Sequence, residues 1–545
     1  MSPMQDGIDR PESPFHAHLH TNYVPTDAEI DSIRAHLLPC EAELGRLEAL
    51  IHELSCKRDR LQVYVDSHKA LTSQPRRVPQ DVIQQIFIAC LPTRHNAVMN
   101  VAEPPLLLGR ICSGWRSVAF ALPTLWASIH IAVDFIDSEE KEVAIVDWLS
   151  RASPLPMAIS VECGRASGRD DLIDILIPFS SRWSSLDLRN AYATQKHDFH
   201  RLAAVEAPML MDITVTFGDC FTEEEGPDVL SSKIFRGKLL KKIAIASTNP
   251  CNLISRHKPC TWDYITDLVL EYLPLSLWQV PLVGHYLSDP MVPQDARILL
   301  KNCPHLKCLK FPLISSYSDE FPELLTIACL EALVIESHAP TSVLVGAFLD
   351  SVVLPRLTKF HIISRRDTGL EGVGTAFTAA IERFRERSPL LSDVHLDRLD
   401  FSRAFHFVRG LQKCSSLQKL ALVLWTPPVS DERRWCNTSD IDEARLFSIL
   451  APNAEDFGWP ALEELSVESE PFDEETWISL LRAHLKLRTN LRRFDLHIWH
   501  RSTTGSAIEV PKPDLTEFTS GGLDVSVKQS TLILKRATSW EGIQL

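Results

Sequence analysis

The residues best spaced for chemistry in this chain are His16, His18 and His20. Alternate histidines fall on one side of an extended segment, where their imidazoles can share a metal ion. Cys303 and Cys308 stand five positions apart in an apolar stretch, where thiols ordinarily serve as small core residues. Gly369, Gly372 and Gly374 lie close together but lack the strand, turn and helix that a phosphate-binding glycine loop needs. The sequence holds no HExxH, no GxSxG and no glycine loop ending in Lys-Ser/Thr, so metalloprotease, nucleophile-elbow and nucleotide chemistry have no carrier. The acidic runs Glu223–Glu225 and Asp473–Glu475 read as solvated loop charge. The expectation is a non-enzymatic protein with no metal and no cofactor.

Bulk properties narrow the partners. The 71 acidic residues against 56 basic ones give a formal charge of -15, which disfavours nucleic acid because phosphate backbones are repelled. The densest basic spots, Lys238 with Lys241 and Lys242 and Arg365 with Arg366, are short. No apolar run reaches the roughly 18 residues of a membrane helix, and the first 25 residues contain no apolar signal segment. The 13 scattered cysteines form no CxxC pair. A reducing compartment, cytoplasm or nucleus, is expected.

Residues 1–25 lack hydrophobic periodicity and are expected to be disordered. Thr26 and Glu29 then have the spacing of a helical capping box. A heptad follows over 26–70, with Ile30, Leu37, Leu44, Ile51, Arg58 and Val65 at a. Ile33, Cys40, Leu47, Leu54, Leu61 and His68 stand at d. Pro39 predicts a break or kink in this helix. The stripe suits either packing within the chain or a homodimer through 30–65.

Beyond residue 140 one unit recurs, LxxLxL with bulky apolar residues at the three marked sites. Eleven copies run from Trp183/Leu186/Leu188 to Leu491/Phe494/Leu496, at intervals of 24 to 45 residues. Several are preceded by proline, as in Cys303-Pro304-His305 and Trp459-Pro460-Ala461. The last two marked residues alternate like a short strand with one buried face. Stretches such as 341–353 and 375–387 between copies read as helices. Units of this period cannot bury their apolar faces alone, so they stack. The expected fold is α/β: an N-terminal helix, a small all-α module, then an irregular leucine-rich-repeat solenoid or horseshoe over 140–545. An α/β domain without true repeats is the alternative. The Asn or Cys that usually follows LxL is generally missing, which leaves the usual turn ladder unsupported.

Between heptad and repeats, residues 78–131 contain Val78-Pro79-Gln80-Asp81-Val82-Ile83-Gln84-Gln85-Ile86-Phe87. After the insertion Thr93–Pro105 come Ile111-Cys112-Ser113-Gly114-Trp115-Arg116 and Pro123-Thr124-Leu125-Trp126. This pattern resembles the F-box-like domain common in mushroom-forming fungi, with helix before and repeats behind arranged as in that family. The resemblance implies that the chain binds the Skp-type adaptor of a cullin–RING ubiquitin ligase, with Pro79, Ile83, Ile86, Phe87, Ile111 and Trp115 forming the adaptor surface. Independently of the name, Pro79 suits the first turn of a helix, and Ile83, Ile86 and Phe87 share a face by spacing. For Trp115 and Trp126, core and interface roles both stay open. The repeats would hold a protein substrate through outward strand positions, among them Lys307, Lys310, Glu331, Lys359, His361, Gln418, Glu463 and Ser466. A scaffold of the same architecture that never meets a ligase is the alternative.

Overall fold

The computed structural model describes residues 13–72, 77–132, 138–162, 172–191, 202, 204–217, 233–247, 262–272, 293–313, 324–337, 341–364, 375–424, 439–451, 459–469, 474–487, 489–502 and 515–533. The chain divides into two compact units, Met1–Ile86 and Phe87–Leu545. The division falls inside a helix.

In the first unit, His16–His18 form a 3-10 turn. Helix α1 then runs over Asp27–Leu71, 45 residues, or about 68 Å at about 1.5 Å per residue. Glu29 closes its start, accepting from the Thr26 backbone N–H at 2.8 Å and the Thr26 hydroxyl at 2.7 Å. That is half of a capping box, and those bonds hold the Glu29 carboxyl below its ordinary range. The expected break at Pro39 is corrected: α1 continues through it. Proline removes one N–H from the ladder, and Pro39 occupies heptad position c, away from the a/d seam. Pairs at helical spacing, Glu43 with Arg46 and Glu53 with Lys57, support the solvated faces. The seam itself is uncovered, with Leu37, Leu44, Leu47, Ile51, Leu54, Leu61 and Val65 all exposed. Helix α2 (Gln80–Ala89) begins in this unit.

The second unit is built on one all-parallel sheet of fourteen strands. They are β1 (Ser128–Ala132), β2 (Met157–Glu162), β3 (Trp183–Ala191), β4 (Asp212–Phe217), β5 (Lys242–Ser247), β6 (Asp267–Tyr272), β7 (Cys308–Leu313), β8 (Ala332–Ser337), β9 (Lys359–Ser364), β10 (Asp393–Leu399), β11 (Lys419–Leu424), β12 (Glu464–Ser469), β13 (Arg493–Ser502) and β14 (Asp524–Ile533). Each pairs with its predecessor and successor in chain order. Helices alternate with them: α3 (Leu108–Ile111), α4 (Ser113–Ala121), α5 (Glu139–Arg151), α6 (Leu172–Leu176), α7 (Pro293–Asn302), α8 (Thr341–Asp350), α9 (Thr375–Arg387), α10 (Phe401–Gly410), α11 (Ser439–Leu450), α12 (Glu474–Lys486) and α13 (Thr516–Ser520). This is the α/β repeat expected, consistent with a leucine-rich-repeat solenoid.

All eleven LxxLxL copies coincide with strands β3 to β13. Their middle residues form one buried row, for example Leu333 beside Phe360, Val394, Leu420, Leu465 and Phe494 in register. Helices cover that side: Phe348 of α8 meets Phe311, and Phe384 of α9 meets Phe360, each with ring centroids 5.1 Å apart.

In most copies the first apolar residue ends a tight turn. The N–H of Leu306, Leu357, Leu391 and Leu462 returns to the carbonyl three residues earlier, at 3.2 Å in every case. The second turn position is Pro304, Arg356-flanking Pro355, Pro389 or Pro460, whose fixed φ suits it. The residue after that leucine then offers its carbonyl to two N–H groups of the next unit. Lys307 O accepts from Glu331 and Ala332, Glu331 O from Thr358 and Lys359, and Thr358 O from Ser392 and Asp393, at 2.8 to 3.0 Å. The same arrangement recurs at Met211, Lys241, Thr266, Ser392, Gln418 and Glu463. A ladder of main-chain bonds on the entry side of the strands thus does the stacking that the missing Asn would have done on the exit side.

The insertion Thr93–Pro105 joins the sheet. Val98 bridges to His130 in parallel, and Ala97 O accepts from His130 N at 2.7 Å, so the outer side of β1 is paired there. Residues 128–131, expected in the all-α module, are strand.

Neighbouring helices approach closely at Gly410, where an added Cβ would lie 2.6 Å from Ile381 Cβ and 2.9 Å from Thr378 O. Gly410→Ala is therefore expected to destabilise the fold by about 1–3 kcal/mol, despite alanine's better helix propensity, read as a lower urea midpoint at unchanged slope.

Candidate functional site

Two surfaces contain the expected site residues. The first is helix α2 with the segment after it. Pro79, Val82 and Ile86 are exposed, the last two one turn apart on one helix face. Ile83 and Phe87 point the other way and are buried. Spacing alone grouped Ile83, Ile86 and Phe87, but burial separates Ile86 from the other two. Ile83 and Phe87 are interior residues in this structure. Phe87 meets the half-buried Trp115 edge-on at 5.0 Å, and Ile111 is exposed. Helix α4, which carries Trp115, is capped by Cys112 Sγ accepting from the Trp115 N–H at 3.4 Å. Trp126 is core. Its indole donates to Ala119 O at 2.9 Å, and its ring stands edge-on to Trp148 at 4.8 Å.

The second surface is the sheet face opposite the apolar rows. The residue between the last two apolar positions of each copy forms a row on it, including Lys310, Val334, His361, His395, Ala421, Ser466 and Asp495 in register. The expected substrate-binding set splits here. Lys310, Lys359, His361 and Ser466 stand on this face. Lys307, Glu331, Gln418 and Glu463 do not: they occupy the turn that makes the stacking ladder, a correction that follows from their place before the strand begins.

Lys310 Nζ sits 2.5 Å from Glu271 Oε1 and 3.9 Å from Glu336 Oε2, and Glu336 is buried. The His361 and His395 rings stack in parallel at 4.1 Å. Burial, then His395, then Lys310 push His361 down to about 4, so it is a neutral imidazole at pH 7. Its Nε2 is buried without a hydrogen-bond partner among the described residues. This patch offers a flat stacking surface beside neutralised ions. His395, Glu271 and Glu336 were missed by sequence reading, although each has the parity of the same face within its copy.

Along the first position of the strands, charge alternates in register: Lys359, Asp393, Lys419, Glu464, Arg493 and Asp524. Lys419 reaches Glu464 at 2.8 Å. Opposite charges on adjacent strands stabilise pairing and like charges oppose it.

A scan against models of known protein families gives no match. A search of curated proteins gives no relative. The chemistry must be read from the residues themselves.

Cys303 is buried and Cys308 half-buried, and burial pushes their thiols up to about 12 and about 11, so neither is a thiolate ligand at neutral pH. The three N-terminal histidines do not lie on an extended strand: His16 and His18 belong to a 3-10 turn, and His20 has φ 63°. Among the described residues, no group of three His, Cys, Asp or Glu side chains is placed to hold a metal ion, and no helix is long and apolar enough to cross a membrane. The glycine cluster, Glu223–Glu225, Asp473 and the Arg365–Arg366 pair lie outside the described residues.

Two outcomes are expected. His361, and His484 (also pushed down to about 4, by burial), stay neutral when folded, whereas the unfolded chain protonates both below about pH 6.5. Their contribution to stability is complete above that pH and is lost as pH falls from about 6.5 to about 4. His361→Gln and His484→Gln should each flatten the dependence of the urea midpoint on pH across that window. Lys419→Glu places three acidic residues in a row with Asp393 and Glu464, and should lower the urea midpoint. Adding Glu464→Lys should recover part of the loss.

Proposed function

We propose that this chain is the substrate-recognition subunit of a Skp–cullin–F-box type ubiquitin ligase. Helix α2 docks on the Skp-type adaptor, and the open sheet face holds a protein substrate. The observation that carries this reading is the exposure of Val82 and Ile86 on one face of α2, with the exposed Pro79 just before it. It stands in the segment whose pattern resembles the F-box-like domain. A short helix that buries one apolar face and presents another is suited to docking on a partner protein. The sheet face that carries Lys310, Lys359, His361 and Ser466 fits a protein ligand because Lys310 is already paired with Glu271 and His361 is neutral, which suits that part of it poorly to a phosphate backbone. In this reading the protein is not an enzyme and works in cytoplasm or nucleus.

One observation favours a second reading, a ligase-independent interaction scaffold. Ile83 and Phe87, two of the six residues the resemblance assigns to the adaptor, are buried. A scaffold would keep this helix as internal packing and bind partners through the sheet alone.

Co-expression of the full chain with a fungal Skp-type adaptor separates the two. Val82→Asp with Ile86→Asp alters only exposed positions, so circular dichroism should stay unchanged while adaptor binding is lost. Capture that survives the double substitution, or no capture by folded wild type, would sink the ligase reading and leave the scaffold.

A further inference from the structure

The uncovered seam of α1 has a composition that selects its occupant. We infer that α1 is the dimerisation element of this chain and that two copies pair through it antiparallel. Three features of the heptad carry the orientation, and none depends on the adaptor reading.

The first is the core layers. In a parallel in-register pair, every a residue meets its own copy and every d residue does the same. Arg58 would then face Arg58, and His68 would face His68, inside the seam. Running the helices in opposite directions places a against d. In the register centred near Ala49, Ile33 meets Val65, Leu37 meets Leu61, Leu44 meets Leu54 and Leu47 meets Ile51. Arg58 then meets Cys40, with the acidic Glu41 of the other copy beside it. The cationic layer becomes a mixed one with a carboxylate in reach, and Ile30 takes the place opposite His68.

The second is the flanking charges. Parallel pairing sets g against the following e, so Glu43 opposes Glu48 twice. Antiparallel pairing sets g against g, so Glu43 opposes Lys57 twice. Glu48 against its own copy at the two-fold axis is the like-charge flank that remains.

The third is the exposed apolar residues just off the seam. Leu50 and Tyr64, both at g, are exposed. In the antiparallel register Leu50 covers Leu50 of the other copy and Tyr64 lies against His36. In the parallel one they meet Ser55 and Lys69. The overlap from Ile30 to His68 spans about 57 Å at about 1.5 Å per residue. Seven exposed aliphatic residues along the stripe, from Leu37 to Val65, are an apolar band larger than soluble helices leave in water.

Light scattering coupled to gel filtration of the full chain should give about twice its 61.4 kDa mass. Leu47→Asp with Ile51→Asp, both at exposed positions, should return it to the single-chain mass. Orientation is read from disulfide mapping after mild oxidation of Arg58→Cys. Antiparallel pairing yields a bond from Cys40 to position 58 of the other copy, and none from position 58 to itself. Those two positions lie about 27 Å apart along the axis at about 1.5 Å per residue, beyond any disulfide. Adding Cys40→Ser should abolish the crosslink through position 58. A monomer, a mass above the dimer, or a crosslink from position 58 to its own copy that survives Cys40→Ser overturns the proposal.

Discussion

One carbonyl per repeat, at the residue after the turn-closing leucine, holds two N–H groups of the next unit, and everything built on the sheet depends on it. It fixes where each strand starts relative to its neighbour. That in turn places Leu333, Phe360, Val394 and Leu420 in one buried row and their alternates on the open face. A slip of one residue would turn every apolar side chain toward water. The bonds are main-chain to main-chain, so the ladder does not depend on which side chains stand at Lys307, Glu331, Gln418 and Glu463, although Lys307 also pairs with Glu331, and Arg492 with Glu463, across neighbouring units. That is why residues as different as these can occupy one structural position.

The open face shows a related economy. Lysine and arginine alternate with carboxylates across six strands, from Lys359 to Asp524. Each strand therefore reinforces the register that the turns establish. The same alternation keeps the face near electrical neutrality in an acidic chain. Around Lys310 and His361 lies a patch in which Lys310 is paired with Glu271 and the His361 imidazole is uncharged.

Much of this was legible in the residues. The eleven LxxLxL copies mark eleven strands because a leucine at the turn and an alternating pair in the strand are each physically required. The other three strands escaped for identifiable reasons. In β1, Trp126/Ile129/Ile131 satisfies the pattern, but Trp126 also completes the Pro-x-Leu-Trp tail of the preceding module, which hides it. In β2 the leading position is Pro156, and the buried Met157 takes its place. In β14 it is Gly522, with φ 87°, and Leu523 is buried instead. Pro39 misled in the other direction, because a long helix supported on both sides absorbs one lost bond. The split of Ile83 and Phe87 from Ile86 could not be foreseen, since spacing gives an angle around a helix but not which part of that arc meets the interior. The stacking ladder was invisible for a simpler reason: backbone bonds leave no side-chain signature.

That last property has a consequence for how such a chain changes over generations. Because the ladder joins neighbours through peptide groups common to all residues, the joint itself does not restrict which unit follows which. Spacings between successive turns already range from 24 to 45 residues with the same junction chemistry. Copying, deleting or exchanging a unit at its turn would leave both new neighbours with an intact joint. A chain of this kind can therefore lengthen or shorten in whole steps, altering the sheet face one strip at a time, with only side-chain packing and charge left to adjust at the new joint.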